Sequence, residues 1–179
     1  VLPYDRVVAD TNGLDEQALV GAVAAAGFEV GPRQDEPVRP AAHGEFGMRA
    51  FGAWRRLRFT DGEAVAGDPV ASLDVSVLQD RLLGPVLGIG DPREDPRVGF
   101  VGGSAGTGEL CRRAGEGGIA FTTHATSVDE LMDVADAGLL MPPKSTWFEP
   151  KLRSGLFIRR IATRNTLLDG VGKSAPRED

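Results

Sequence analysis

Apolar residues recur along this chain at two spacings, and each change of spacing marks an element. The β-branched run at 6–9 predicts a strand. Asn12 stands where it can cap a helix over 14–26, with Asp15 and Glu16 in its first turn. Leu14, Ala18, Ala22 and Ala26 form one stripe of that helix, widened by Leu19 and Val23. Gly27 offers a left-handed stop, and Phe28-Glu29-Val30 returns as a strand. After a proline-punctuated loop at 31–43, residues 46–51 and 54–59 alternate apolar and polar side chains about Gly52-Ala53, the pattern of an antiparallel hairpin. A helix started by Ser72 or Asp74 carries Val75, Leu78 and Leu82 on one face and stops at Gly84-Pro85. A strand at 98–101, a short helix at 107–114 and a buried strand at 119–123 follow. The capping box Ser127-Val128-Asp129-Glu130 then opens a helix that Gly138 closes, with Val128, Leu131, Val134 and Ala135 as its apolar stripe. An irregular, proline-containing segment leads to a last strand at 156–161.

Strands interleaved with helices, plus one hairpin, predict an α+β fold. The expectation is a single domain over 1–162, with a mixed β-sheet and three to four helices, and a tail at 163–179. The 179 residues suit one domain, and 41% apolar against 26% charged residues excludes a wholly disordered chain. A net charge of −6 argues against phosphate-backbone binding, so no nucleic-acid partner is expected and Arg55, Arg56 and Arg58 read as solvated strand positions. The lone Cys111 excludes an internal disulfide framework and a cysteine-based zinc site. No apolar run approaches the roughly 20 residues of a membrane span, so the expected location is cytoplasmic, with no membrane partner.

Composition also picks out a segment. The chain uses arginine for nearly all of its 20 basic residues, yet Lys144 and Lys151 stand seven positions apart. They frame Met141-Pro142-Pro143-Lys144-Ser145-Thr146-Trp147-Phe148-Glu149-Pro150-Lys151. Lys144-Ser145-Thr146 looks like the end of a Walker A loop, but prolines stand where that loop needs free N–H groups. Two readings remain. Lys144, Ser145 and Thr146 form one wall of a phosphate or nucleotide pocket with Lys151 at its rim, or the loop packs its aromatics into the core while the lysines stay wet.

Three further candidates carry a plainer alternative each. The run Gly102-Gly103-Ser104-Ala105-Gly106-Thr107-Gly108 lies between a strand and a helix, where backbone N–H groups gather anions. It lacks the spacing of a Rossmann or Walker A motif, and a flexible turn is the plainer reading. Asp136 sits near a helix C-terminus, against the macrodipole; it is either a catalytic or ion-holding carboxylate or part of a solvated acidic face. His124 ends the strand at 119–123, where α/β sheets place function, but a lone histidine also serves structure. It has no second ligand at metal spacing, so no metal site is expected.

Leu73-Asp74-Val75-Ser76-Val77-Leu78, Phe100-Val101-Gly102-Gly103, Ala135-Asp136-Ala137-Gly138 and the 141–156 stretch resemble the C-terminal half of the bacterial and archaeal family called domain of unknown function 1015. The opening Leu2-Pro3-Tyr4-Asp5-Arg6-Val7-Val8 resembles that family's mid-chain segment, and Pro142-Pro143-Lys144-Ser145-Thr146 is the most specific element. The family's N-terminal half carries an Asp-Gly-His-His-Arg motif, similar to the nucleotide-contacting motif of ParB-like and sulfiredoxin-like folds, and this chain lacks it. The resemblance implies half of a small-molecule kinase-like protein, with free serine as one such substrate. The implied partners are the N-terminal half and the substrate, and the implied cofactors are ATP and a divalent cation. This half alone is expected to be inactive. The competing expectation is a non-catalytic binding or assembly domain that docks a partner through Trp147-Phe148.

Overall fold

The computed structural model describes residues 1–62 and 67–150. Lys151, the strand expected at 156–161 and the tail at 163–179 lie outside the described residues. Six strands build one sheet: β1 (Tyr4–Val8), β2 (Phe28–Val30), β3 (Glu45–Ala50), β4 (Ala53–Phe59), β5 (Val98–Gly102) and β6 (Ile119–Thr123). Their order across the sheet is β2-β4-β3-β6-β1-β5. Four helices accompany them: α1 (Glu16–Ala25), α2 (Asp74–Val77), α3 (Gly106–Ala114) and α4 (Val128–Asp136). The fold is α+β, as the pattern of the chain predicts.

The sheet is antiparallel throughout rather than mixed. The reason is topological. A strand–helix–strand crossover places two strands in the same direction, but β5–α3–β6 straddles β1, which runs the opposite way between them. The crossover through α1 likewise ends far from its start, because β6, β3 and β4 separate β1 from β2.

Local chemistry explains where the elements begin and end. The N-cap of α1 is Asp15, whose carboxylate accepts the Ala18 N–H at 2.8 Å, not Asn12. Asn12 and Gly13 instead both take positive φ and turn the chain before the helix. The β3–β4 hairpin closes through Phe51 and Gly52, both at positive φ, which matches the twist of a two-residue turn. The α2 helix runs on into a π-helical stretch, Leu78–Leu83, where Gly84 N–H reaches Gln79 O at 2.8 Å. The capping box of α4 forms as expected, with Glu130 N–H to Ser127 Oγ at 3.1 Å and Ser127 N–H to Glu130 Oε2 at 2.7 Å. Of its expected apolar stripe, Val134 alone is buried, Leu131 is half-buried, and Val128 and Ala135 are exposed.

Both faces of the sheet are covered. On one, Leu19 and Val23 of α1 and Val77, Leu78 and Leu82 pack on Val8, Phe28, Phe46, Leu57 and Phe121. On the other, Leu110 and Ala114 of α3, with Val38 from the 31–43 loop, pack on Val7, Trp54, Val101 and Ala120. Arg55 pairs with Glu16, and Arg56 and Arg58 pair with Glu45, so these strand arginines serve local ion pairs.

The α3–β6 connection is packed backbone against backbone. A Cβ at Gly118 would lie 2.4 Å from Ala114 O and 2.5 Å from Val8 O, both backbone atoms that cannot swing aside. Gly118→Ala is therefore expected to cost about 3 kcal/mol, lowering Tm by about 10 °C. Gly117→Ala, where nothing lies within 4 Å, is the control. Equal melting of the two variants would contradict this packing.

Candidate functional site

Alternation along β1 sends Val8 to the α1 face and Val7 to the α3 face. By the same alternation Arg6 belongs to the α1 face and Asp5 to the α3 face. Asp5 is only 5% exposed. Its Oδ1 accepts the Thr123 N–H at 3.0 Å, while Oδ2 accepts no hydrogen bond among the described residues. Burial pushes this carboxyl up to about 6, against the Thr123 N–H and the Arg6 and Arg39 charges, which hold it down.

Asp5 lines a cleft of about 250 Å³ with Pro3, Arg39, Gly103, Gly106, Thr107 and His124. Three elements meet there. The end of β6 supplies His124, the 31–43 loop supplies Arg39, and the start of α3 supplies the glycine turn. Gly102 and Gly103 are not a loose hinge. A Cβ at Gly102 would sit 2.7 Å from the Trp147 ring and one at Gly103 2.8 Å from Pro3, and Gly103 N–H donates to Pro3 O at 2.8 Å. Beyond that packed turn, α3 begins at Gly106 with φ +74° and has no side-chain cap. Its first N–H groups thus lack a side-chain acceptor at the end that opens on the cleft. Backbone donors, a guanidinium and an imidazole can hold an anion here, and a carboxyl titrating near neutrality can accept a proton beside it.

A second buried acid stands close by. Asp74 Oδ1 accepts the Gly44 N–H at 2.8 Å and lies 3.2 Å from His43 Nδ1, which in turn lies 3.0 Å from Glu130 Oε1. Burial raises the Asp74 carboxyl to about 6; Gly44 N–H, His43 and His124 act against this, and Glu130 adds to it. Its Oδ2 is buried without a partner. Among the described residues, no group of three or more His, Cys, Asp and Glu side chains is arranged to hold a metal ion.

Of the residues singled out by sequence, His124 lies in the cleft. Lys144, Ser145 and Thr146 are not among the residues that line it. Lys144 is exposed at φ +58°, its Nζ 5.8 Å from the Tyr4 ring centroid, and its carbonyl accepts from Arg6 at 2.9 Å. Ser145 is buried, and its carbonyl accepts the Thr126 hydroxyl at 3.0 Å. Trp147 bridges to Leu2 and meets Tyr4 edge-on at 5.4 Å, whereas Phe148 is 44% exposed. Asp136 is exposed as the last residue of α4, and Lys151 is outside the described residues. Cys111 packs half-buried against the Leu110 cluster. Asp5, Arg39, His43 and Asp74 are not singled out as site residues by the sequence, although Asp5 and Asp74 lie in segments that carry the family resemblance. The available signal is that Asp5 and Arg6 put two charges inside a strand.

No family model matches the chain, and no curated protein matches it. Among solved structures it is similar to a free serine kinase, a single-site alanine mutant in complex with AMP, with 16% identity and a TM-score of 0.44. That match covers 80% of this chain and 51% of the other, so the chain spans about half the length of that protein.

Because folding raises the Asp5 carboxyl from 3.8 to about 6, the folded state keeps a proton that the unfolded chain has released between those values. Asp5 therefore lowers stability as pH rises from about 4 to 6, and the loss is complete above the folded value. Asp5→Asn keeps an acceptor for Thr123 N–H and removes the charge. It should stabilise the protein at pH 7.5 by at most about 3 kcal/mol and by much less at pH 4. Thermal melts across that range test this, and a pH-independent difference would show that burial is not the cause.

Proposed function

We propose that the cleft of Asp5, Arg39 and His124 binds the phosphate group of a small molecule. Once this chain is joined to the N-terminal half that the family resemblance implies, Asp5 serves phosphoryl transfer to a small alcohol in this reading. The observation that carries this reading is the uncapped start of α3 opening on the same cleft as a buried carboxyl with a free oxygen. The α3 N–H groups, Arg39 and His124 hold phosphate oxygens. Asp5 Oδ2 accepts the hydroxyl proton while the alcohol oxygen forms a bond to the γ-phosphorus of a nucleoside triphosphate. The bond to the bridging oxygen breaks, and a nucleoside diphosphate leaves. The partner half, implied by the resemblance to the domain of unknown function 1015 family, supplies the remaining contacts to nucleotide and divalent cation.

In this reading Lys144 acts through its carbonyl, which fixes Arg6, rather than through its ammonium. Titration of this chain with inorganic phosphate and AMP tests the binding step. Arg39→Ala and His124→Ala should each weaken binding about tenfold, or roughly 1.4 kcal/mol, and Lys144→Ala should change it less than about twofold. Once both halves are assembled, Asp5→Asn should abolish turnover with binding retained. Wild-type affinity in both Arg39→Ala and His124→Ala would overturn the proposal. It would favour an assembly domain instead, a reading supported by Val128 at 62% and Leu140 at 89% exposure on and just after α4.

A further inference from the structure

The opposite face of β1 holds a second, separate feature. Arg6 is only 4% exposed, and a guanidinium so far from water requires a counter-charge or a full set of acceptors. Two of its five N–H groups have acceptors: one terminal nitrogen donates to Tyr4 O and the other to Lys144 O, the latter at 2.9 Å. Its Cζ lies 5.1 Å from the Phe100 ring centroid and 5.9 Å from that of Tyr4, an electrostatic contact that does not use the remaining N–H groups. Among the described residues Arg6 forms no salt bridge. Its neighbour Asp5 belongs to the other face.

Arg6 lines a groove of about 380 Å³ together with Ser76, Gln79, Gly90, Pro142 and Pro143. The walls are held from several directions. The Gln79 amide, in the π-helical stretch, donates to Ile89 O at 2.8 Å and Gly90 O at 3.1 Å, which ties the 89–90 segment to that helix. Its Oε1, an acceptor that an oxyanion does not satisfy, is buried and has no partner. The proline pair stiffens the other wall. The second cation of the groove, Arg93, is already neutralised by Asp91 at 2.5 Å. The carboxylate of Asp80 also lines the groove and repels any anion, so a bound oxyanion must place its charge on the Arg6 side. What remains is one buried positive charge at the edge of a small, stiff-walled space.

We propose that this groove is a binding site for a compact oxyanion, a carboxylate or a phosphate, that completes the hydrogen bonding of Arg6. The site stands apart from the cleft of Asp5 and does not depend on the function assigned to that cleft. It predicts that small oxyanions stabilise the fold by mass action while chloride at equal ionic strength does not.

The test is thermal melting of the full chain carrying Arg39→Ala and His124→Ala, so that the cleft's contribution is strongly reduced. Acetate and inorganic phosphate are added in separate arms, each at about 50 mM with a chloride control. At about ten times Kd, the responding anion should raise Tm by about 4 °C. Response to acetate alone identifies a carboxylate ligand, and response to phosphate alone identifies a phosphate. Arg6→Gln should abolish the shift, and because that variant removes a buried charge, Gly90→Leu serves as a second block. Gly90 lines the groove and a Cβ there meets nothing within 4 Å, so a leucine is accommodated at the groove's edge without displacing backbone. No shift with either anion, or a shift of undiminished size in Gly90→Leu, would overturn the proposal.

Discussion

Two adjacent ionisable side chains are buried in one interior strand, and the surrounding architecture answers to that constraint. Strand alternation keeps Asp5 and Arg6 from meeting on one face, so each must find partners on its own. Asp5 takes the Thr123 N–H of β6, which ties the end of that strand to β1. Arg6 takes Tyr4 O and Lys144 O, which draws the 142–147 segment across the α1 face. Burial lowers the Arg6 guanidinium to about 10, so it stays charged at neutral pH and the demand for acceptors never lapses. Lys144 occupies a left-handed conformation unusual for a side-chain-bearing residue, and its hydrogen bond to Arg6 is one contact that holds it there.

Close backbone approach makes these arrangements possible. A Cβ at Gly47 would lie 2.3 Å from Thr122 Oγ1 and 2.8 Å from Val38, so only glycine lets the 31–43 loop lie flat on β3. That loop position is fixed by the Thr122 hydroxyl donating to Val38 O at 2.7 Å, one residue before Arg39. Gly102 and Gly103 act likewise for Trp147 and Pro3. The cleft is therefore shaped by the packing of small residues in the sheet, and its charged groups arrive as consequences of where the loops can rest.

This explains which parts of the protein are legible from sequence. Elements set by local chemistry are readable: β6 has its expected bounds, and the Ser127–Glu130 capping box forms with both of its hydrogen bonds. Strand direction is not local. Inserting β1 between β5 and β6 converts an expected mixed sheet into an antiparallel one, and no periodicity along the chain records that insertion. The stripe on α4 is only partly buried for a similar reason, since amphipathic spacing states that a face is apolar without stating that anything covers it. His124 is legible as a strand-end residue. Arg39 and Asp5 are not, because they meet only when β1 and a distant loop are brought together; Lys144 stands out by composition, yet it lies outside that cleft, with its Nζ 5.8 Å from the Tyr4 ring centroid.

Asp5 and Asp74 are both raised to about 6 by burial, and a comparison by acidity alone would give them the same role. Geometry separates them. The free oxygen of Asp74 is fully buried, and its other oxygen is held by Gly44 N–H beside His43, so its proton cannot pass to a ligand without opening that cluster. Asp5 also fixes one oxygen on a backbone N–H, but it lines a cleft, with Arg39, His124 and helix N–H groups without a side-chain cap around the space in front of it. A buried carboxyl has a structural reason to exist when both oxygens are walled in, as at Asp74, where it anchors Gly44 at the start of β3 and gathers His43 and Glu130. When one oxygen is left facing a space lined with donors, packing gives no reason to keep the charge. In the proposed reading, the cost of burying it is offset by the ligand the cleft takes.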